Sequence, residues 1–176
     1  GDFIDVTDGP NWSDVGRDCL HLLQQTKDIN LLIIWLRSRA RLAGATGLQE
    51  GFNVLHYLLS TCPETIHPQP TIDGEFDLNM RANALAQLND PDGLLNDIRH
   101  ITLSRNSSRP LSMRDIERAY AIPQLVDALP LDSVKQQLTE LYAQQDEDFM
   151  ALLAVAQHLQ SILQWITQYL PDMVVR

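Results

Sequence analysis

The chain has 176 residues with 44% hydrophobic and 20% charged side chains, which suits one compact domain and argues against disorder. Its 23 acidic and 13 basic residues give a formal net charge of −10, which argues against general binding to nucleic acids or anionic membranes. We therefore expect protein partners and no nucleic acid. The two cysteines, Cys19 and Cys62, have no CxxC spacing and predict neither a disulfide framework nor a zinc site.

Membrane and targeting signals are weak in the sequence. The most apolar run, residues 29–36, is far shorter than the roughly 20 residues that span a bilayer, and no signal peptide opens the chain. We therefore expect a cytoplasmic protein with no direct membrane insertion. Because the chain begins with Gly1, we also expect an excised domain, with residues 1–11 as a linker remnant and residues 12–176 as the domain itself.

Helical periodicity recurs along nearly the whole chain and predicts an all-α fold. Asn11 is the expected N-cap of a first helix, with Trp12 as its anchor. A second helix begins at Asp28 and ends at Ala43, where Gly44 supplies a left-handed stop. The short connection to a third helix predicts an antiparallel helical hairpin.

Residues 63–76 contain three prolines and a glycine and predict a long loop, either ordered or flexible. Short helices are expected from Asp77, after the Asp90-Pro91 step and from Ser112, and residues 101–103 could form a very short strand.

Two C-terminal helices are predicted over residues 132–144 and 146–170, and residues 131–176 could form a separate helical hairpin. The expected architecture is a single domain of antiparallel helices with a long C-terminal helix and a long proline-containing loop. The last helix carries an apolar stripe at coiled-coil spacing, which is typical of an internal packing seam or of a dimer zipper. The stripe consists of Phe149, Leu152, Ala156, Leu159, Leu163, Ile166 and Leu170.

Catalytic and cofactor motifs are not found. The sequence contains no P-loop, no GxGxxG and no GxSxG, so we expect no cofactor and no enzymatic activity. No two of the five histidines have the i, i+4 spacing of a helical metal pair. An alternative is a metal-dependent hydrolase using His67, Asp73 and Asp77, but these side chains could equally fix and solvate the loop.

Arginines supply the candidate partner-binding residues. Arg37 and Arg41 share one face of the second helix, and Arg105 and Arg109 lie in an arginine-rich stretch over residues 99–118. These cations could dock an acidic partner, or they could complement helix C-terminal dipoles. Trp35 could similarly be an exposed binding residue or the centre of a buried helix.

A series of short motifs in a fixed order resembles the ImpA-related N-terminal domain of the TssA family, a component of bacterial type VI secretion. The resemblance implies architectural roles for eight residues, Trp12, Lys27, Asp28, Gly44, Gly47, His67, Pro68 and Arg81. One departure is Cys62-Pro63, which stands where the family has an aromatic residue. The motifs are Trp12-x-x-Val15, residues 22–28, Trp35-Leu36, residues 42–51, residues 65–68, residues 81–85 and residues 170–173.

The resemblance also implies a function. A protein of this family is a non-enzymatic adaptor that binds baseplate, membrane-complex or tail components and helps to assemble the tail tube and sheath. The full-length protein is expected to form a homo-oligomeric ring through a region that follows this domain. A helical scaffold of an unrelated assembly remains an alternative on the residues alone.

Overall fold

The computed structural model describes residues 9–173, so the expected linker remnant lies mostly outside the described residues. Within this range the chain is predominantly helical, which confirms the all-α prediction. The helices are α1 Trp12–Gln25, α2 Ile29–Thr61, α3 Asn79–Ala86, α4 Leu94–Arg99, α5 Met113–Ala119, α6 Leu131–Ala143 and α7 Glu147–Tyr169, with a 3-10 turn at Gln87–Asn89. The strands are β1 Thr71–Ile72, β2 Glu75–Phe76, β3 Thr102–Leu103 and β4 Leu111–Ser112.

Helix α2 is a hairpin of two helical arms that meet at Gly44. Gly44 has φ 61° and ψ −135°, a conformation that L side chains rarely adopt, and the chain reverses direction there. The arms are in close contact, because a Cβ atom on Gly47 would lie 2.1 Å from the carbonyl oxygen of Arg39. The Nε of Arg39 donates to Glu50 Oε2 at 3.0 Å across the same contact. The predicted antiparallel hairpin is therefore present.

The main core forms where α1 and α7 pack against α2. Leu36, Leu55 and Leu59 of α2 are completely buried. Trp165 of α7 donates its indole N–H to the carbonyl oxygen of Leu59 at 2.8 Å. A second, smaller cluster lies between α5 and α6 and consists of Leu111, Ala119 and Val134.

The buried face of α7 differs from the predicted stripe. Ala156 and Leu163 of that stripe are exposed, and the buried residues are Ala151, Val155, Ile162, Trp165 and Ile166. The prediction of the face was right in part, since Ile166 and Leu170 are buried and Leu152 and Leu159 pack against the core. It missed the other buried residues because α7 is apolar on more than one side, so spacing alone did not select the buried side. By length and mean hydropathy α7 could also cross a membrane, and in this structure one of its faces covers α2.

The proline-containing loop holds a β-hairpin that the sequence analysis missed. Strands β1 and β2 pair antiparallel with Ile72 opposite Glu75. Asp73 and Gly74 form the two-residue turn, both with positive φ. An Asp-Gly pair is typical of a tight hairpin turn, so the signal was present in the sequence. The short strand expected near residue 103 is present and pairs with β4.

Candidate functional site

Asp97 of α4 is the buried centre of an ion-pair network. Its side chain has no exposed surface and accepts from Arg37 Nε at 2.7 Å and from Arg41 Nε at 2.6 Å. The guanidinium groups of Arg37 and Arg41 also lie 4.9 Å and 5.9 Å from the centre of the Trp12 ring. These two arginines thus join α1, α2 and α4, and about a quarter of each side chain faces solvent.

A cleft of about 210 Å³ lies beside this network, at the tip of the α2 hairpin. Arg41 and Arg105 both line it, so the fold brings together two of the four arginines that sequence analysis selected. Arg105 is 65% exposed and its nearest carboxylate, Asp148, lies 3.9 Å away. His100 also lines the cleft. Arg105 is therefore the guanidinium of this cleft that is most accessible to a partner.

Arg109 lies in a different part of the surface. Its guanidinium donates to the hydroxyl oxygen of Ser133 at 2.7 Å, which links the residue to α6. It lines a shallow depression together with Glu140 and Gln144. The structure therefore separates Arg109 from the cleft that holds Arg41 and Arg105.

Trp35 is only 6% exposed and lies within the main core. Of the two alternatives for Trp35, its burial therefore supports the centre of a buried helix and contradicts an exposed binding residue. Sequence spacing placed Trp35 on the opposite face of the helix from Leu32 and Leu36, but α2 is covered on several sides and buries both faces.

The architectural residues of the loop act mainly through the backbone. The amide of His67 donates to the carbonyl of Lys27 at 2.9 Å, and the amide of Ile29 donates to the carbonyl of His67 at 2.8 Å. The His67 side chain itself is exposed, whereas Pro68 is buried after a cis peptide bond. His67 therefore fixes the loop by its main chain and not by its imidazole. Lys27 additionally donates its ammonium group to the carbonyl of Leu23.

Arg81 is a buried cation that organises the same loop. It is 1% exposed and donates to the carbonyl oxygens of Pro63, Ile66 and Pro68 at 2.6–2.8 Å. Burial lowers the pKa of the guanidinium, and Glu64 partly opposes that shift. Three carbonyl acceptors match the fork of donors that only arginine offers.

The hydrolase alternative is not supported by the arrangement of these side chains. Between residues 9 and 173 no three His, Cys, Asp or Glu side chains lie close enough together to hold a metal ion. The carboxylate of Asp77 instead accepts the amide of Asn79 at 2.8 Å at the start of α3. His67, Asp73 and Asp77 therefore do not form the predicted cluster.

An exposed apolar segment over residues 120–129 was missed by the sequence analysis. Ile122 is 97% exposed and Val126 is fully exposed at 105% of its reference area. Leu125 and Leu129 are also exposed. The sequence contained a signal for this segment, because Leu125, Val126 and Leu129 lie between Pro123 and Pro130 and Ile122 directly precedes Pro123. A proline-bounded stretch this short cannot bury these side chains in a long helix.

Comparisons with known proteins agree with this fold. The family described as the ImpA N-terminal domain of the type VI secretion system matches residues 5–90. A solved structure of the N-terminal domain, including the conserved ImpA N-terminal region, of the TssA component of the type VI secretion system from Burkholderia cenocepacia is similar with a TM-score of 0.64. The two chains are 22% identical, and the match covers 94% of this chain and 70% of the other. No curated protein matches the chain.

The matched region includes α1, both arms of α2, the proline-containing loop and α3. It also contains each of the eight residues to which the motif series assigns an architectural role. Residues 5–90 of the chain, just under half of its length, therefore match the ImpA N-terminal family of the type VI secretion system.

Proposed function

We propose that the chain is a non-enzymatic adaptor domain of a TssA-like protein, which docks a baseplate, membrane-complex or tail component during assembly of the tail tube and sheath. The family match supplies the secretion system as the context. The exposed apolar segment carries the proposal of docking, because Ile122 and Val126 expose almost their entire side chains. Exposed aliphatic clusters of this kind mark protein interaction sites in soluble domains.

The arginine cleft supplies a second, polar contribution to docking. Arg105 reaches solvent, whereas Arg37 and Arg41 are held by Asp97. An acidic side chain of the partner would pair with Arg105 in competition with Asp148. The acidic net charge of the chain supports a protein partner over nucleic acid.

The same proposal places the protein in the bacterial cytoplasm, with residues 12–176 as one docking domain. Display of this domain around a ring formed by a region outside the present chain would raise the effective affinity of weak single contacts.

The test is capture of individually purified baseplate, membrane-complex and tail proteins by the immobilised domain. The double variant Ile122→Ser and Val126→Ser should weaken the captured complex about tenfold or more, since buried anchors commonly contribute over 1 kcal/mol each. Leu20→Ser, which alters an exposed leucine on α1, is the matched control and should leave capture unchanged. Equal capture by the double variant and the wild type would refute docking through this segment.

A charge variant tests the cleft separately. Arg105→Glu should weaken capture and reduce its dependence on salt, because it removes an accessible positive charge. Arg17→Glu on α1 reverses a similarly exposed arginine, and serves as the control for net charge. A loss of capture that is equal for both variants would assign the effect to net charge and not to the cleft.

A further inference from the structure

Two histidines face each other across the contact between α2 and α7. His56 lies on the second arm of α2 and His158 near the middle of α7, 102 residues apart in the chain. Their Nδ1 atoms are 3.3 Å apart, and both side chains are half-buried. The ring centroids are 5.5 Å apart and the ring planes are inclined by 59°.

We propose that His56 and His158 form a chelating site for a divalent transition-metal ion such as Zn²⁺ or Cu²⁺. A zinc–nitrogen bond is about 2.0–2.1 Å long, so two nitrogens on one tetrahedral ion lie about 3.3–3.4 Å apart. The two Nδ1 atoms already have this separation. Coordination would therefore keep this separation and require the rings to turn so that both Nδ1 lone pairs point at one ion.

The tautomers of the two rings decide whether both Nδ1 atoms can bind one metal ion. Imidazole binds a metal ion in its neutral form. Burial lowers the pKa of His158, and the neighbouring His56 lowers it further, which favours the neutral imidazole. When both rings are neutral and hydrogen-bonded through Nδ1, one Nδ1 holds the shared proton. Transfer of that proton to Nε2 of the same ring frees both Nδ1 lone pairs, and each ring keeps one proton.

A bound ion would clamp α7 to the second arm of α2. The two ligands come from helices that form the main core contact, so binding to the folded state stabilises that contact by mass action. Within residues 9–173, no three His, Cys, Asp or Glu side chains lie close enough together to hold a metal ion. The site therefore has His56 and His158 as its protein ligands, and water would complete the coordination shell. A site of this kind binds metal reversibly and leaves positions open for a further ligand.

The test uses the tag-free domain titrated with ZnCl₂ by calorimetry and with CuSO₄ by electron paramagnetic resonance. We expect one equivalent of Zn²⁺ and a Cu²⁺ spectrum with hyperfine splitting from two nitrogens. At a free Zn²⁺ concentration of 100 Kd the unfolding equilibrium constant should fall about 100-fold. His56→Gln and His158→Gln should each abolish these effects, and His21→Gln on the exposed side of α1 should retain them.

A second measurement keeps the test decisive if either glutamine variant folds poorly. In ¹⁵N-resolved imidazole spectra of the wild-type domain, Zn²⁺ should shift the Nδ1 resonances of His56 and His158 together and leave that of His21 in place. Unshifted His56 and His158 resonances would overturn the proposal, as would equal metal binding by the wild type and both glutamine variants. Neither outcome would affect the docking function proposed for residues 120–129.

Discussion

The α2 hairpin and the segment over residues 120–129 carry apolar side chains of similar size in opposite environments. Leu36, Leu55 and Leu59 in the hairpin are 0% exposed, whereas Ile122 and Val126 are 97% and 105% exposed. In the hairpin each aliphatic group removed from water stabilises the fold. In the segment the same groups contribute almost nothing to folding, and they are free to contribute to binding.

The charged residues of the domain can also be divided into buried ones and exposed ones. Arg81 and Asp97 are each 1% exposed and hold loops and helices around α2, whereas Arg105 is 65% exposed at the cleft. An arginine can therefore be structural or available in this domain according to the partner that the fold gives it. Substitutions that affect one class and spare the other test this division directly.

The largest effect on stability is expected for Arg81→Ala. It removes the donor of three hydrogen bonds and leaves the carbonyl groups of Pro63, Ile66 and Pro68 without that partner. An unsatisfied buried polar group costs about 1–3 kcal/mol, so the free energy of unfolding should fall by at least about 3 kcal/mol. Urea denaturation measures the loss. Arg81→Lys should recover only part of it, since lysine lacks the planar fork; full recovery would show that charge alone suffices.

Asp97→Ala should destabilise the domain by about 3 kcal/mol, because it leaves Arg37 and Arg41 without their shared carboxylate. The loss is at the lower end of the range for a broken buried pair, since about a quarter of each arginine side chain already contacts water. Thermal and urea unfolding measure it. Asp92→Ala, on the exposed turn before α4, is the control. Equal stability of both variants would contradict the role of Asp97.

Local sequence signals predicted much of the hairpin region. Asn11 and Asp28 accept amide hydrogens at the starts of α1 and α2, as their residue types predict. Gly44 ends one arm and permits the reversal into the next. These features depend on a few consecutive residues, so spacing and capping preferences were sufficient to locate them.

The candidate site was predicted less well because it depends on contacts between distant residues. Arg37 and Arg41 were correctly placed on one face, but their partner Asp97 lies about sixty residues away and carries no local signal. The same limit applies to His56 and His158, which neither spacing nor motif connects. Burial of Trp35 and the choice of the α7 face also depend on which helices pack together.

A smaller effect is expected from pH. The folded-state pKa of His158 lies below its ordinary value of 6.5, so the unfolded chain binds more protons in this range. The contribution of His158 to the free energy of unfolding is therefore fully present above pH 6.5 and is lost as the pH falls below that value. The Tm of the wild-type domain should decline from pH 7 to pH 5 in metal-free buffer. The Tm of the His158→Gln variant should decline less over the same interval. Parallel declines would show that other groups account for the change.

The smallest effect on stability is expected for the double variant Ile122→Ser and Val126→Ser. Both side chains already contact water, so their removal should change the free energy of unfolding by less than about 0.5 kcal/mol. Leu55→Ala in the hairpin removes a completely buried group and should cost about 2–5 kcal/mol under identical urea conditions. A loss above about 1 kcal/mol for the double variant would show that the segment packs against the domain in solution. If the double variant is as stable as the wild type but captures a secretion component more weakly, the apolar side chains of the segment contribute to binding. They would then make no measurable contribution to the free energy of unfolding.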